Sequence, residues 1–456
     1  MSTRTNAAGG PGLLTDRYEL TMLASFIADG SVGRQAVFEA FARRLPVGRR
    51  YGVVAGLGRL VPLLHDFRFD ADEVAWLLDE RVIDAATADY LRAFRFNGTI
   101  EAIPEGELYF PGTPVVTVAG TLGECIVLET LVLSVLNHDS AIASAAARMV
   151  TAAGGRPEDG GRALIEMGSR RTHEEAAVAT ARAAYIAGFA STSNLAAGYR
   201  HGIPTVGTAA HAFTLAHDSE LDAFRSQVRA HGPGTSLLVD TYDIPTGIRN
   251  AVTAAREAGA TGPGAIRIDS GDLAEEAWRA RALLDELGAA DTRITVTSDL
   301  DEYVITALQD APIDGYGAGT RVATGSGHPT AGMVYKLVAI EQPDGTMRPV
   351  AKKARDKASV GGRKTVWRVF DDDGAIVQEL HVPGSTEVPE RLRGTRHESP
   401  QVTVVREGVV QHVPTIEESR RTCAAALAAL SPHERDVTDG EPVVVPTVLL
   451  PAPQEA

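Results

Sequence analysis

Residues 265–277 read AIRIDSGDLAEEA. Ala265 to Ile268 form an apolar run interrupted by Arg267, which stops at Asp269, Ser270, Gly271 and Asp272 before a helical stretch begins. A short apolar run bounded by turn residues has the pattern of a strand buried on both faces. Charged groups at the end of such a strand are costly to bury unless something meets them. An arginine, two acids and a hydroxyl at one strand end therefore mark either internal ion pairing or a ligand site.

Working outward, the same unit recurs. Apolar runs occur at RALIEM (162–167), GFASTS (188–193), IPTVGT (203–208), TSLLVD (235–240), AIRID (265–269), RITVTS (293–298) and IDGYGAG (313–319). Helical patterns lie between them, including HEEAAVATARAAYIAG, LDAFRSQVRAHG, IPTGIRNAVTAAREAG, LAEEAWRARALLDELG and DEYVITAL, most closing at a glycine. Apolar strands alternating with helices give an α/β fold with a parallel sheet, and about seven units favour a barrel or near-barrel over an open sheet. Residues 1–12 read as a loose tail, 13–155 as an N-terminal α+β domain, 156–335 as the barrel, and 336–456 as a β-rich region packing on the N-terminal part. Within the second of these, 13–100 reads as mainly helical, with YGVVAGLGRLVPLL and ADEVAWLLDE as amphipathic stretches. Short strands follow at 101–120, then two helices near 122–137 and 139–153. Late in the chain, KTVWRVFDDDGAIVQELHV reads as a hairpin turning at DDDG, and EPVVVPTVLLPAP as an extended tail.

Bulk properties narrow the function. The chain has 456 residues, a net charge of -15 and 23% charged residues, a balance that argues against nucleic acid or an anionic membrane as the main partner. Cys125 and Cys423 give no disulfide framework, so a cytoplasmic location is expected. The apolar stretch LGECIVLETLVLSVLN carries Glu124 and Glu129, fitting a core helix rather than a membrane span. Every lysine lies late, at 336, 352, 353, 357 and 364. Schiff-base chemistry is therefore excluded from residues 1–335. GGRKT (361–365) puts Arg363 where a phosphate-binding P-loop needs glycine.

Ligands of parallel α/β folds sit at the carboxyl ends of the strands. Those ends carry Ser169, Arg170, Arg171 and His173; Ser193 and Asn194; Thr208 and His211; Asp240, Thr241 and Asp243; Arg267, Asp269, Ser270 and Asp272; Ser298 and Asp299; and Gly315, Gly317, Gly319 and Thr320. Taken singly, Arg170 or Asp269 fits a structural ion pair as well as a site, His211 a satisfied histidine, and GYGAG a turn. Together they suit a phosphorylated sugar. Arginines grip phosphates in fork fashion, small residues at Gly317 to Thr320 leave backbone N–H groups for a 5-phosphate, and acids hold ribose hydroxyls or Mg2+.

Six motifs in order, LLTDRYELTM (13–22), EMGSRR (166–171), GTAAHAF (207–213), VDTYD (239–243), IRIDSGD (266–272) and GYGAGT (315–320), resemble the nicotinate phosphoribosyltransferase family over about residues 13–340. The resemblance implies an incomplete (β/α) barrel of the type II phosphoribosyltransferase kind with flanking N- and C-terminal parts. It also implies a homodimer with shared active sites. The expected reaction joins nicotinate and phosphoribosyl pyrophosphate into nicotinate mononucleotide and pyrophosphate, coupled to hydrolysis of ATP in the presence of Mg2+. By motif, His211 resembles the histidine that ATP phosphorylates, and Asp269 a ribose-side catalytic contact. Arg170 resembles a group beside the nicotinate ring, Arg267 and Ser270 belong to the phosphate- and ribose-binding motif, and Thr208, Asp240 and Asp299 line the same pocket. Gly317, Gly319 and Thr320 match the 5-phosphate loop, while Asp16 and Tyr18 resemble residues that reach the partner subunit's site. Related nicotinamide-using enzymes place an aspartate where STSN (191–194) has Ser193, and the serine removes a carboxylate that would repel nicotinate. No metal ligands are assigned. The cluster AKKARDKASVGGRK (351–364) reads as a solvated loop or an aid to attracting ATP or pyrophosphate.

Other readings on the same scaffold are a quinolinate or nicotinamide phosphoribosyltransferase and a non-catalytic regulatory homologue. A metal-dependent hydrolase would need paired histidines such as His-x-His at a strand end. None occurs; His211 and His217 are six apart.

Overall fold

Short apolar runs and capped helices between residues 163 and 323 fold into six parallel strands with their connecting helices. The computed structural model describes residues 10–352 and 360–450. Of the expected tail, residues 1–9 lie outside the described residues; so do 353–359 of the basic cluster and 451–456 of the last stretch. Contacts divide the chain into two units. One comprises Met1–Ala141, Thr330–Glu434 and Asp439–Ala456, and the other Ile142–Pro329 with Arg435–Thr438.

In the second unit the strands, in chain order, are Ala163–Glu166, Ser191–Thr192, Ser236–Leu238, Ala265–Ile268, Arg293–Ser298 and Gly315–Ala318. Their order across the sheet is second, first, sixth, fifth, fourth, third, all parallel. Ile266, Ile268, Ile294 and Val296 are fully buried, each contributing about 1.5–3 kcal/mol of transfer free energy. The barrel is incomplete, because the second and third strands do not pair with each other. The run 203–208, read as a strand, forms only an isolated bridge between Thr192 and Thr205. Pro204 has no N–H to give a ladder, and residues 204–207 are exposed, so no apolar burial holds them in a sheet. Six strands, not seven, therefore build this unit.

The helices start where the sequence offers caps. Asp243, Asp272 and Asp301 accept backbone N–H groups at the starts of Ile244–Glu257, Leu273–Glu286 and Glu302–Ala307, and His173 does so at Glu174–Ile186. Two acids at the strand ends, Asp243 and Asp272, are thus occupied as caps.

The first unit carries a seven-stranded antiparallel sheet in the order Met347–Pro349, Met333–Glu341, Gln35–Ala42, Val116–Thr121, Thr99–Ala102, Val402–Arg406 and Val409–Val410. The mainly helical reading of 13–100 misses Gln35–Ala42, an interior strand of this sheet. YGVVAGLGRLVPLL divides into the strand Gly52–Val53 and the helix Leu57–His65. They separate at Gly56, whose φ of 111° suits only glycine. Nor do two similar helices fill 122–153: a short one, Leu122–Ile126, precedes the single helix Glu129–Ala152. Its polar stretch Asn137–Ser140 looks like a break, but each side chain finds a partner. Asn137 bonds both backbone groups of Met333, Asp139 meets Arg59 and His138, and Ser140 exchanges hydrogen bonds with Ala55. The hairpin Lys364–Phe370 with Ile376–Pro383 forms as read, and Thr447–Val448 of the extended tail adds a parallel strand beside it.

Candidate active site

Strand register in the second unit sets the rim. Thr192, Glu166, Ala318 and Ser298 stand side by side across the sheet, as do Thr297 with Gly317 and Leu238 with Arg267. Residues that follow these positions therefore leave the sheet on one side.

On that rim the opening stretch finds its partners. Arg267 donates from Nε to Thr297 Oγ1 at 3.0 Å and from Nη1 to Thr208 Oγ1 at 3.0 Å. Its Nη2 lies 3.2 Å from Asp269 Oδ2. Thr297 donates its hydroxyl to Asp269 Oδ1. Asp240 Oδ2 accepts the Asp269 N–H at 2.9 Å and the Ser270 hydroxyl at 2.7 Å. Asp240 Oδ1 is buried and without a hydrogen-bond partner. Thr208, Asp240, Arg267, Asp269 and Ser270, contributed by three separate segments, thus share one network. The Arg267 and Asp269 side chains are 12% and 28% exposed, so the pair is sheltered yet open to a ligand.

His211 begins the short helix His211–Leu215, and its Nδ1 lies 3.1 Å from Thr241 Oγ1. Gly317 cannot carry a side chain, since a Cβ there would lie 2.5 Å from Thr297 Cγ2 and 2.8 Å from Met167 Sδ. Gly319 precedes the helical turn Thr320–Ala323. Ser298 has a φ of 148°, a backbone strain that rigid surroundings maintain at functional sites. Arg170 and Ser193 are exposed on turns after the first and second strands; the Ser193 N–H donates to the Glu166 carbonyl at 2.8 Å. Asp299 is not part of the network: it is an exposed acid 3.2 Å from Arg321. Asp16 and Tyr18 belong to the first unit, at the start of the helix Arg17–Ala28. Burial, then the charges of Glu129 and Glu19, push the Tyr18 phenol up to about 12.

Three residues here receive no role from the sequence, Thr297, Glu166 and Thr192, while Thr241 is named there only as a strand-end residue. Thr297 sits mid-run in RITVTS, where β-propensity alone accounts for it. Thr241 adjoins Asp240, and Glu166 is an acid ending an apolar run, the same signal that marks Asp269. Burial pushes the Glu166 carboxyl above its usual range.

Among the described residues no three His, Cys, Asp or Glu side chains gather as a metal site. The unpartnered Asp240 Oδ1, on a rim that also carries the Asp269 carboxylate, would suit Mg2+ bound mainly through substrate phosphates and water. No helix among the described residues is long and apolar enough to cross a membrane.

Comparison with known proteins identifies the family and the fold. The family model for the nicotinate phosphoribosyltransferase N-terminal domain matches residues 13–137. The chain is 54% identical over 453 residues to nicotinate phosphoribosyltransferase pncB1 of Mycobacterium tuberculosis, covering 97% of this chain and 96% of the relative. It is also similar to the crystal structure of human nicotinic acid phosphoribosyltransferase, with a TM-score of 0.77 at 25% identity over 95% and 97% of the two chains. A nicotinate-nucleotide pyrophosphorylase from Pyrococcus furiosus shares the fold, with a TM-score of 0.75 at 22% identity over 94% and 99%.

Proposed function

This chain belongs to the nicotinate phosphoribosyltransferase family, and on that premise we propose that its barrel rim joins nicotinate to the anomeric carbon of phosphoribosyl pyrophosphate. The observation that carries the reading is the network of Thr208, Arg267, Asp269, Asp240 and Ser270 on one rim. In the reaction the pyridine nitrogen forms a bond to the sugar carbon as the bond to pyrophosphate breaks. The protein's task is to align both reactants and to stabilise the leaving charge. Arg267 supplies a fixed cation for phosphate, and Asp269 and Ser270 supply groups for ribose hydroxyls. Gly317, Gly319 and Thr320 leave backbone room for the 5-phosphate. Asp240 and Asp269 would hold Mg2+ carried by the pyrophosphate, which would add charge neutralisation there.

Nicotinate is assigned to the turns bearing Arg170 and Ser193, with Asp16 and Tyr18 supplied by the partner of a homodimer. A pyridine carboxylate gains from the arginine, and the serine adds no opposing charge. ATP coupling is assigned to His211. In the tautomer that donates Nδ1–H to Thr241, the Nε2 lone pair would accept a phosphoryl group as the P–O bond of ATP breaks and ADP leaves. Water later cleaves the N–P bond, returning histidine and phosphate.

The test is a product assay with nicotinate and phosphoribosyl pyrophosphate, with and without ATP, on wild type and His211→Ala. Nicotinate mononucleotide is expected from both proteins, and ATP is expected to raise its yield only for wild type. Absence of product from wild type overturns the reaction; an equal response to ATP removes His211 from its role.

A further inference from the structure

Glu166 is a fully buried acid that the reaction above does not use. It closes the first barrel strand, and no cation pairs with it among the described residues. A buried carboxylate without a counter-ion is costly, so its retention at the rim calls for a reason.

Its two oxygens face two different turns. Oε1 accepts the N–H of Gly168, and Oε2 accepts the Thr192 hydroxyl at 2.6 Å. Thr192 Oγ1 in turn accepts the Asn194 N–H at 2.9 Å. Asn194 then reaches back: Nδ2 donates to Ser169 Oγ at 3.0 Å, while Oδ1 accepts the Ala197 N–H at 2.8 Å and caps Leu195–His201. The Ser193 N–H also bonds the Glu166 carbonyl. The closed circuit runs Glu166, Thr192, Asn194, Ser169 and back through Gly168. Gly168 leaves no room for a side chain, because a Cβ there would lie 2.7 Å from Glu166 Oε1 and 2.9 Å from Ala323 Cβ.

This circuit ties together the two turns given to nicotinate above, the one that bears Arg170 and the one that bears Ser193. A Gln at 166 can take the Gly168 N–H on its oxygen but turns its NH2 toward Thr192, whose own O–H then loses the acceptor it has in Glu166 Oε2. Only a carboxylate receives both donors at once. We propose that Glu166 is a positioning residue that sets the spacing of the Arg170 and Ser193 turns and thereby the recognition of the pyridine carboxylate. This inference rests on the reading that those turns face nicotinate.

The experiment measures kcat and both KM values for Glu166→Gln, Thr192→Val, Thr192→Ser and Arg170→Ala, with Tm recorded for each. Expected are a rise of about ten-fold in the KM for nicotinate for Glu166→Gln and Thr192→Val, on the scale of one lost charge-assisted hydrogen bond. The KM for phosphoribosyl pyrophosphate is expected to hold within about two-fold, and Thr192→Ser, which keeps the hydroxyl, to restore wild-type behaviour. A fall in Tm with both KM values unchanged would mean a purely structural role and would overturn the proposal, as would equal rises in both. Arg170→Ala separates the two levels. If it leaves the KM for nicotinate unchanged, the assignment of these turns to nicotinate fails. If it raises that KM while Glu166→Gln does not, the positioning role alone fails.

Discussion

Arg267 divides its guanidinium among three partners, Thr297, Thr208 and Asp269, so the charges that follow Ile268 are met by protein in the free chain. A lysine cannot reproduce that fork. Arg267→Lys is expected to lower kcat/KM for phosphoribosyl pyrophosphate roughly fifty-fold, about 2–3 kcal/mol, in steady-state assays. Thr297 bridges the same arginine and Asp269. Thr297→Val, which keeps the shape and removes the hydroxyl, is expected to cost about 1–3 kcal/mol in denaturant unfolding. At Ser193 the expectation concerns selectivity. Ser193→Asp would set a carboxylate near that of nicotinate, and at about 4 Å with an effective dielectric of 20 the repulsion is about 4 kcal/mol. An unchanged kcat/KM for nicotinate would refute this argument.

Among the elements, strand ends and helix starts share the polar residues between them. Asp269 serves the rim network while Asp272, three residues on, caps Leu273–Glu286 by accepting the N–H groups of Ala274 and Glu275. Loss of that cap in Asp272→Ala is expected to reduce stability by about 1 kcal/mol, read as a shift of the urea midpoint. The sixth strand depends on a glycine for a different reason. In Gly317→Ala the new methyl has no room against Thr297 and Met167. A destabilisation of about 1–3 kcal/mol is expected, with reduced activity because Thr297 must move. Segment 203–208 shows the limit of local reading: its apolar pattern suits a strand, but an exposed edge with Pro204 leaves it only an isolated bridge to Thr192.

At the scale of the whole chain, both units bury charged pairs, the barrel unit at Arg148 and Glu302, 3.0 Å apart, and the first unit in a larger network. The barrel unit relies on apolar strands covered by alanine-rich helices such as Glu174–Ile186. In the first unit's network Arg368 meets Glu379 at 3.1 Å and Glu107 at 2.5 Å, His381 meets Glu379 at 2.9 Å, and Lys364 meets Glu39 at 2.6 Å. Burial alone would raise the Glu379 carboxyl, but the His381 hydrogen bond and the Arg368 charge outweigh it and hold it below the usual range. A depressed folded value means that Glu379 stabilises the fold above the unfolded carboxyl value, about 4.3, and that this contribution fades as pH falls toward the folded value. Thermal scans between pH 6 and pH 3 (about one and a half units either side of that value) are therefore expected to show a steeper loss of Tm for wild type than for Glu379→Gln. Arg368→Met, leaving Glu379 buried without its cation, is expected to cost about 3–5 kcal/mol.

The amino-acid sequence by itself determined the alternation of buried strands and capped helices, the polar residues at each strand end, and the late position of every lysine, because apolar periodicity and capping act over a few neighbouring residues. Tertiary structure decided which ends meet. Sheet order puts Ala318 beside Glu166, some 150 residues away in the chain, and Thr297 beside both Arg267 and Asp269. It also decided that Gln35–Ala42 enters a sheet and that Asn137–Ser140 continues a helix, since partners distant in sequence satisfy them. Pairing of this kind depends on what long-range burial leaves unsatisfied, which no local window of residues contains.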